Sequence, residues 1–353
     1  VRSVGRRDHV RGFVNGLLRG VIRTLDGRQL EDAPPEVPAS QRLPGREGGW
    51  VFLTRPLLPE DAGDPAWLAL AASLPVSLAR AWYERLGPEG ALELARAQNA
   101  PPPLFLRVNA LQTNREEVLA ALNAAEPCAE PGNLPGSIRL RGGLGEIGSQ
   151  LLWKGWVTVQ DETAQGVAPL LEPRSGERLV DLCAAPGGKA THLAELLGPE
   201  GCVEALDVDE ARLARVSSAA RRLRLTTLST TLTDPADPRP PAGAPVDGVL
   251  ADVPCSNTGV LRRRVEVRWR LESLDRLPLL RLQSRLLDAA IALTRPGGRV
   301  VYSTCSIDPA ENEAQVKAAL GRHPGLSLET EVSKLPARDG GDGGYAARLR
   351  LPS

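Results

Sequence analysis

From residue 171 onward, short apolar runs alternate with stretches of helical spacing. Residues 178–180, 202–209, 226–233, 246–252 and 299–305 read as strands. Residues 210–224, 273–294 and 311–320 read as helices, another helix starts at 192–197, and 326–332 and 345–351 read as two final strands. Strands alternating with helices predict an α/β, doubly wound sheet. The pattern upstream is different. In residues 1–30, Phe13, Val14, Leu17, Leu18, Val21 and Ile22 recur at helical spacing among seven arginines, which predicts an amphipathic helix with a basic face. Residues 31–64, rich in Pro, Gly and acids, read as a linker. Residues 65–99 are Ala/Leu-rich and helical, with a break at Gly87-Pro88, and Pro101-Pro102-Pro103 punctuates their end. Strands at 105–109, 137–141 and 156–160, with helices at 114–123 (capped by Thr113 or Asn114) and 161–171, predict a small α+β module. The expected division is therefore 1–30, 31–64, 65–170 and 171–353.

Composition narrows the function classes. Lys+Arg and Asp+Glu balance at 43 each in 353 residues, so any nucleic-acid site must be a local basic patch. The basic residues are nearly all Arg, which suits bidentate phosphate contact and base stacking but equally reflects a GC-rich genome. Five cysteines without a C-x-x-C indicate neither a disulfide framework nor a zinc site, and predict a reducing, cytoplasmic setting without a metal. No apolar run approaches eighteen residues, so membrane insertion is not expected.

The stretch DLCAAPGGKAT, residues 181–191, joins a strand to a helix through a turn of small residues. Such a turn lets a ligand approach the backbone and the free N–H groups of the helix. A phosphate-binding loop needs Gly where Cys183 stands and Ser or Thr where Ala190 stands, and G-x-G-x-x-G is absent. The loop suits a nucleoside-like ligand without a polyphosphate, S-adenosylmethionine foremost; the alternative is a purely structural turn. Asp207, in the second strand, is positioned for ribose hydroxyls, with Asp209 capping the next helix, unless both are merely caps or surface acids. Strand four runs into Asp252-Val253-Pro254-Cys255 and strand five into Ser303-Thr304-Cys305, so both cysteines reach the same rim as the glycine loop. Position alone leaves each as either a small buried hydrophobe or a nucleophile.

DLCAAPGGKATHL, ADVPCSNTGVLRRR followed by RWR, and YSTCSIDPAENE together resemble the RNA cytosine-5 methyltransferases of the NOL/NOP/Sun family, and most of all its bacterial RsmB/Sun (Fmu) ribosomal-RNA branch. The likeness extends over about residues 65–351. It implies a Rossmann-like, S-adenosylmethionine-dependent methyltransferase sheet preceded by a small RNA-binding α+β module. The segment from Gly12 to Arg19 looks like the last helix of the helical NusB-like domain of this branch, with most of that domain missing here. By resemblance, Cys305 is the nucleophile that adds to carbon 6 of cytosine, because carbon 5 is too weak a nucleophile to take a methyl group directly. Cys255 assists release of the methylated RNA, and Asp252 contacts both cofactor and target base. Cys183, Ala184, Ala185, Pro186, Gly187, Gly188 and Lys189 form the cofactor loop, Asp207 binds ribose, and Asp234 lies near the adenine. Lys189 also lies close to the base, where its charge would lower a thiol pKa. Arg262, Arg263 and Arg264 read as a phosphate clamp, with Arg268 and Arg270 either part of it or structural; the bland reading is a solvated loop anchored by Trp269.

Two departures stand out: Val265 where the family has Pro, and Asp342-Gly343-Gly344-Tyr345 where it has Asp-Gly-Phe-Phe. Neither removes an expected catalytic group. The expectation is a monomeric enzyme that methylates carbon 5 of a cytosine in small-subunit ribosomal RNA. The competing readings are the same chemistry on transfer RNA, a non-catalytic RNA-binding assembly factor, and a small-molecule or protein methyltransferase, which would not need paired cysteines.

Overall fold

The structure is a computed structural model that describes residues 2–45, 48–124, 128–233, 245–337 and 340–353. It comprises two compact units, Val1–Pro101 with Arg268–Ser273, and Pro102–Val267 with Leu274–Ser353.

In the first unit, a helix over Arg2–Ile22 leads into a three-stranded antiparallel sheet of Leu25–Leu30, Arg42–Pro44 and Trp50–Leu53, with the last strand central. The stretch expected to be a linker therefore carries two of these strands. Phe52 and Leu53 are buried, and the Trp67 indole donates to the Ala39 carbonyl at 2.8 Å. Strands this short, separated by Pro and Gly, leave almost no periodic signal. Helices Pro65–Ala72 and Val76–Asn99 follow, and Gly87, at φ 72°, makes the expected break as a kink inside the second.

The second unit is built on a seven-stranded sheet of β1 (Arg178–Asp181), β2 (Cys202–Asp207), β3 (Leu228–Leu232), β4 (Val246–Asp252), β5 (Thr294–Thr304), β6 (Ser327–Lys334) and β7 (Gly344–Arg350). Their order is β3-β2-β1-β4-β5-β7-β6, and β7 runs against the direction shared by the other six. Helices α1 (Gly188–Leu197), α2 (Glu210–Leu223), α3 (Arg276–Leu293) and α4 (Glu313–Arg322) connect the strands. The predicted helix 273–294 begins later than expected, because Asp275 caps it by accepting from the Leu277 N–H. Alternation within the strands sends Val180, Val249, Val300 and Tyr302 into one core and Leu179, Leu250 and Val301 into the other. Both faces are thus covered, as a parallel sheet requires. Register pairs Asp252 with Ser303, so the ends of β4 and β5 finish level.

The predicted α+β module precedes the sheet in this unit. Its four antiparallel strands, in the order Ala129–Pro131, Ser137–Leu140, Leu104–Val108, Val157–Val159, pack against helices Arg115–Leu122 and Gly145–Lys154. Asn114 caps the first helix by accepting from the Glu117 N–H at 2.9 Å. Arg107 ties the module to α1. Buried, its guanidinium meets Glu195 at 2.8 Å and donates to Thr191 Oγ1 at 3.1 Å and to the Gly188 carbonyl at 2.7 Å. Asn109 makes a second tie, donating to the carbonyls of Gly155 and Leu223.

Candidate active site

The chain leaves β1 through Leu182 and Cys183 and turns at Gly187, whose φ is 108°, before α1 begins. A Cβ at Gly187 would come within 3.1 Å of the Val216 backbone on α2, so conformation and close packing both demand glycine there. Asp207, buried at the end of β2, accepts from the Ala185 N–H at 3.2 Å and fixes the loop from behind. Asp209 caps α2 through the Arg212 N–H, as expected. Asp234 lies outside the described residues.

One member of this group is not evident from the sequence. Asp181, at the end of β1, is 1% exposed, and among the described residues its carboxylate oxygens meet no side-chain donor. Burial first, then the charge of Asp252, push its carboxyl up to about 8. Its one signal is that it opens the glycine-loop motif. Such a buried acid beside a loop of free backbone suits a ligand that brings positive charge. S-adenosylmethionine, with its amino and sulfonium groups, fits this donor and acceptor set.

Next to the loop, Lys189 Nζ lies 2.7 Å from Asp252 Oδ2, and Ser303 Oγ donates to Asp252 Oδ1 at 2.7 Å. Burial opposes the charge on Lys189, but the pairing with Asp252 outweighs it and holds the ammonium above its ordinary range. Beyond the strand ends, Cys255 Sγ and Cys305 Sγ stand 3.2 Å apart. The contact with Cys305, and then burial, push the Cys255 thiol well up, so Cys255 keeps its proton. Asn257, in a left-handed conformation at φ 60°, accepts from the Cys305 thiol at 3.2 Å and donates to the Cys255 carbonyl. Burial also raises the Cys183 thiol and keeps that residue neutral. A cavity of about 580 Å³ opens on Lys189, Asp252 and Cys305, with Thr163, Lys334 and Tyr345 on its walls. Gly344, one of the departures from the family pattern, also lines it.

The arginine cluster is divided. Arg262 is buried and donates to Asp342 at 2.8 Å and to the carbonyls of Ala337 and Gly340. Arg263 pairs with Asp161 at 3.0 Å and with Asp342, and donates to the Pro103 carbonyl. The expectation that Arg262 clamps phosphate is corrected, because its buried guanidinium is engaged in fixing the loops around the cavity, whereas Arg263 is exposed and commits two of its three guanidinium nitrogens to those loops. Arg268 is likewise structural, buried against the carbonyls of Ala72 and Gln98, whereas Trp269 is exposed and anchors no core. Arg264 is exposed, donates to Asn257 Oδ1 at 3.0 Å and pairs with Glu266 at 3.4 Å. Among the described residues, no cluster of His, Cys, Asp or Glu is arranged to hold a metal, and no helix is long and apolar enough to cross a membrane.

Residues 168–350 match the family of 16S rRNA methyltransferase RsmB/F, and residues 74–145 match the ferredoxin-like domain described for the same proteins. Among curated relatives, ribosomal RNA small subunit methyltransferase B of Klebsiella pneumoniae is 36% identical over 98% of this chain and 74% of its own length. The protein of the same name from an Enterobacter species is 40% identical over 72% of this chain and 61% of its own length. A solved methyltransferase homolog from Pyrococcus horikoshii has a TM-score of 0.70 at 25% identity, covering 83% of this chain and 100% of its own. NSun6 from the same organism, solved with SFG, shares the fold at a TM-score of 0.67 and 20% identity, covering 78% of this chain and 97% of its own. On a match to the catalytic sheet and relatives that span nearly the whole sequence, the chain belongs to the RsmB/F family of S-adenosylmethionine-dependent rRNA methyltransferases.

Proposed function

We propose that this enzyme methylates carbon 5 of a cytosine in 16S rRNA through a covalent bond between Cys305 and the base. The observation that carries the reading is the pair of sulfurs 3.2 Å apart at the ends of β4 and β5, beside the Lys189–Asp252 pair. The glycine loop from Cys183 to Lys189, with Asp181, Asp207 and Asp234, holds the cofactor. S-adenosylmethionine supplies an electrophilic methyl group when bound.

The chain's own residues do the rest. The Cys305 sulfur adds to carbon 6, forming a carbon–sulfur bond and making carbon 5 an enamine-like nucleophile. Asp252 accepts from the exocyclic amino group and holds the base while charge shifts onto the ring. After transfer, the proton on carbon 5 is lost to solvent, its electron pair re-forms the carbon 5–carbon 6 double bond, and the Cys305 sulfur leaves, with the still-protonated Cys255 thiol assisting its release. Arg264 binds backbone phosphate, and the base enters the cavity unstacked, from single-stranded or loop RNA. The Arg2–Ile22 helix is the end of a NusB-like domain, and the enzyme acts as a monomer in the cytoplasm.

The test is methyl transfer from labelled S-adenosylmethionine to unmodified ribosomal and transfer RNA, with Cys305→Ala alongside and bisulfite mapping of the product. One labelled cytosine in 16S rRNA, lost in the variant, supports the whole reading. Label in transfer RNA overturns the substrate, and label that survives in Cys305→Ala overturns the covalent mechanism.

A further inference from the structure

The two cysteines sit on separate loops, and a separation of 3.2 Å between sulfurs has to be held by something. Each cysteine is followed by a serine, Ser256 and Ser306, and both serines are buried. One carboxylate receives both. Glu311, 1% exposed, accepts from Ser306 Oγ at 2.8 Å and from Ser256 Oγ through Oε1. Through Oε2 it accepts from the Ser256 N–H at 2.8 Å and from Gln283 Nε2 at 2.9 Å. The same Gln283 amide donates to the Pro254 carbonyl, and the Tyr302 hydroxyl donates to the Glu311 carbonyl at 2.6 Å. Thr258 and Ser306 hydroxyls meet at 2.9 Å, and the Gly259 N–H donates to the Cys305 carbonyl at 3.0 Å. No cation contacts Glu311 in this set of bonds. A buried carboxylate that satisfies four donors, three of them on the serines adjacent to the cysteines, acts as a clamp on two loops.

We infer that Glu311 is a positioning residue that sets the distance between Cys255 and Cys305; its catalytic meaning rests on the reading of Cys305 as nucleophile. Removing the carboxylate strands an N–H, an amide and two hydroxyls, and frees the loops to separate. A displacement of about 1 Å at a reacting atom is enough for roughly a hundredfold loss of rate. Substrate and cofactor affinities are expected to stay near their original values, because Glu311 lies in neither binding surface.

The experiment compares Glu311→Ala, Glu311→Gln and the wild-type enzyme by two independent measurements. The first is kcat and KM for rRNA. The second is the rate at which diamide joins Cys255 to Cys305, mapped by peptide mass spectrometry. Diamide takes both thiol protons and two electrons and becomes the hydrazine, leaving one disulfide, so the rate reports how closely the sulfurs approach. Glu311→Ala is expected to lose about tenfold to a hundredfold in both kcat and oxidation rate, with KM little changed. Gln keeps a carbonyl for the two N–H donors and turns its amide to hydroxyls that rotate to accept, so Glu311→Gln is expected to recover most of both. Folded Glu311→Ala enzyme with wild-type oxidation and turnover overturns the inference. Slow oxidation in Glu311→Ala, together with methyl transfer that survives in Cys305→Ala, keeps the clamp and overturns the nucleophile. If Glu311→Ala does not fold, the Ser256→Ala/Ser306→Ala double variant takes its place. Wild-type oxidation there overturns the inference, and slowed oxidation supports it.

Discussion

Lys189 and Asp252 join the helix side of the glycine loop to the end of β4 through a 2.7 Å ion pair. The lysine therefore stands between the glycine loop and the cavity that reaches Cys305. Its charge, held by Asp252, is available to stabilise a thiolate. Lys189→Met is expected to shift the acidic limb of the kcat/KM profile to higher pH, because the thiol loses a neighbouring cation. Methyl-transfer rates measured from mildly acidic to mildly alkaline pH report this, and an unchanged limb counts against the role.

Asp181 gives a prediction about stability. Its carboxyl is raised to about 8 in the folded protein, above the ordinary 3.8. Between these values the folded state holds a proton that the unfolded state has released. Stability from this group therefore falls as pH rises from about 4 to about 8. Asp181→Asn removes that dependence and is expected to stabilise the cofactor-free protein at about pH 8 by about 1–3 kcal/mol relative to about pH 5. Cofactor affinity is expected to fall in the same variant. Urea unfolding at the two pH values and calorimetric titration measure the two effects.

Arg107 and Glu195 form a buried pair with side chains 2% and 4% exposed. Burial raises the Glu195 carboxyl while Arg107 opposes the rise. Arg107→Leu leaves that acid uncompensated and is expected to cost about 3–5 kcal/mol, with much of the loss recovered in Arg107→Leu/Glu195→Leu. Denaturant midpoints of the single and double variants test this; equal losses in both would show that the pair is not the source.

The arginines after Cys255 are expected to separate by phenotype. Arg264→Ala should reduce the slope of log affinity for single-stranded RNA against log salt by about 0.7 and leave thermal stability unchanged. Arg262→Ala should do the reverse, because its guanidinium neutralises buried Asp342. Filter binding across salt concentrations and thermal unfolding distinguish the two.

The parts of the fold written as strong periodicity are legible in the sequence alone. Buried strands such as β4 and β5, the Asp209 and Asn114 caps and the Gly87 kink follow from local chemistry. The sheet over residues 25–53 is not legible there, since its strands are three to six residues long and alternate poorly. At the site, the glycine loop and both cysteines announce themselves through motifs. Asp181, Asn257 and Glu311 do not, because their roles depend on partners that only folding brings together. Arg262 misleads for the same reason: a run of arginines looks basic on paper, but Asp342, eighty positions away, claims the first of them.

The tie between Arg107 and α1 bears on how such enzymes diversify. The guanidinium carried by the small module also grips the Gly188 carbonyl in the glycine loop. Module and sheet thus share a hinge pin rather than a tether. A module transplanted from a relative would have to find Glu195 and Thr191 waiting on its new host, or leave the loop unsupported. Changes to the module are consequently easier to accumulate on its outer loops than by exchanging the module whole.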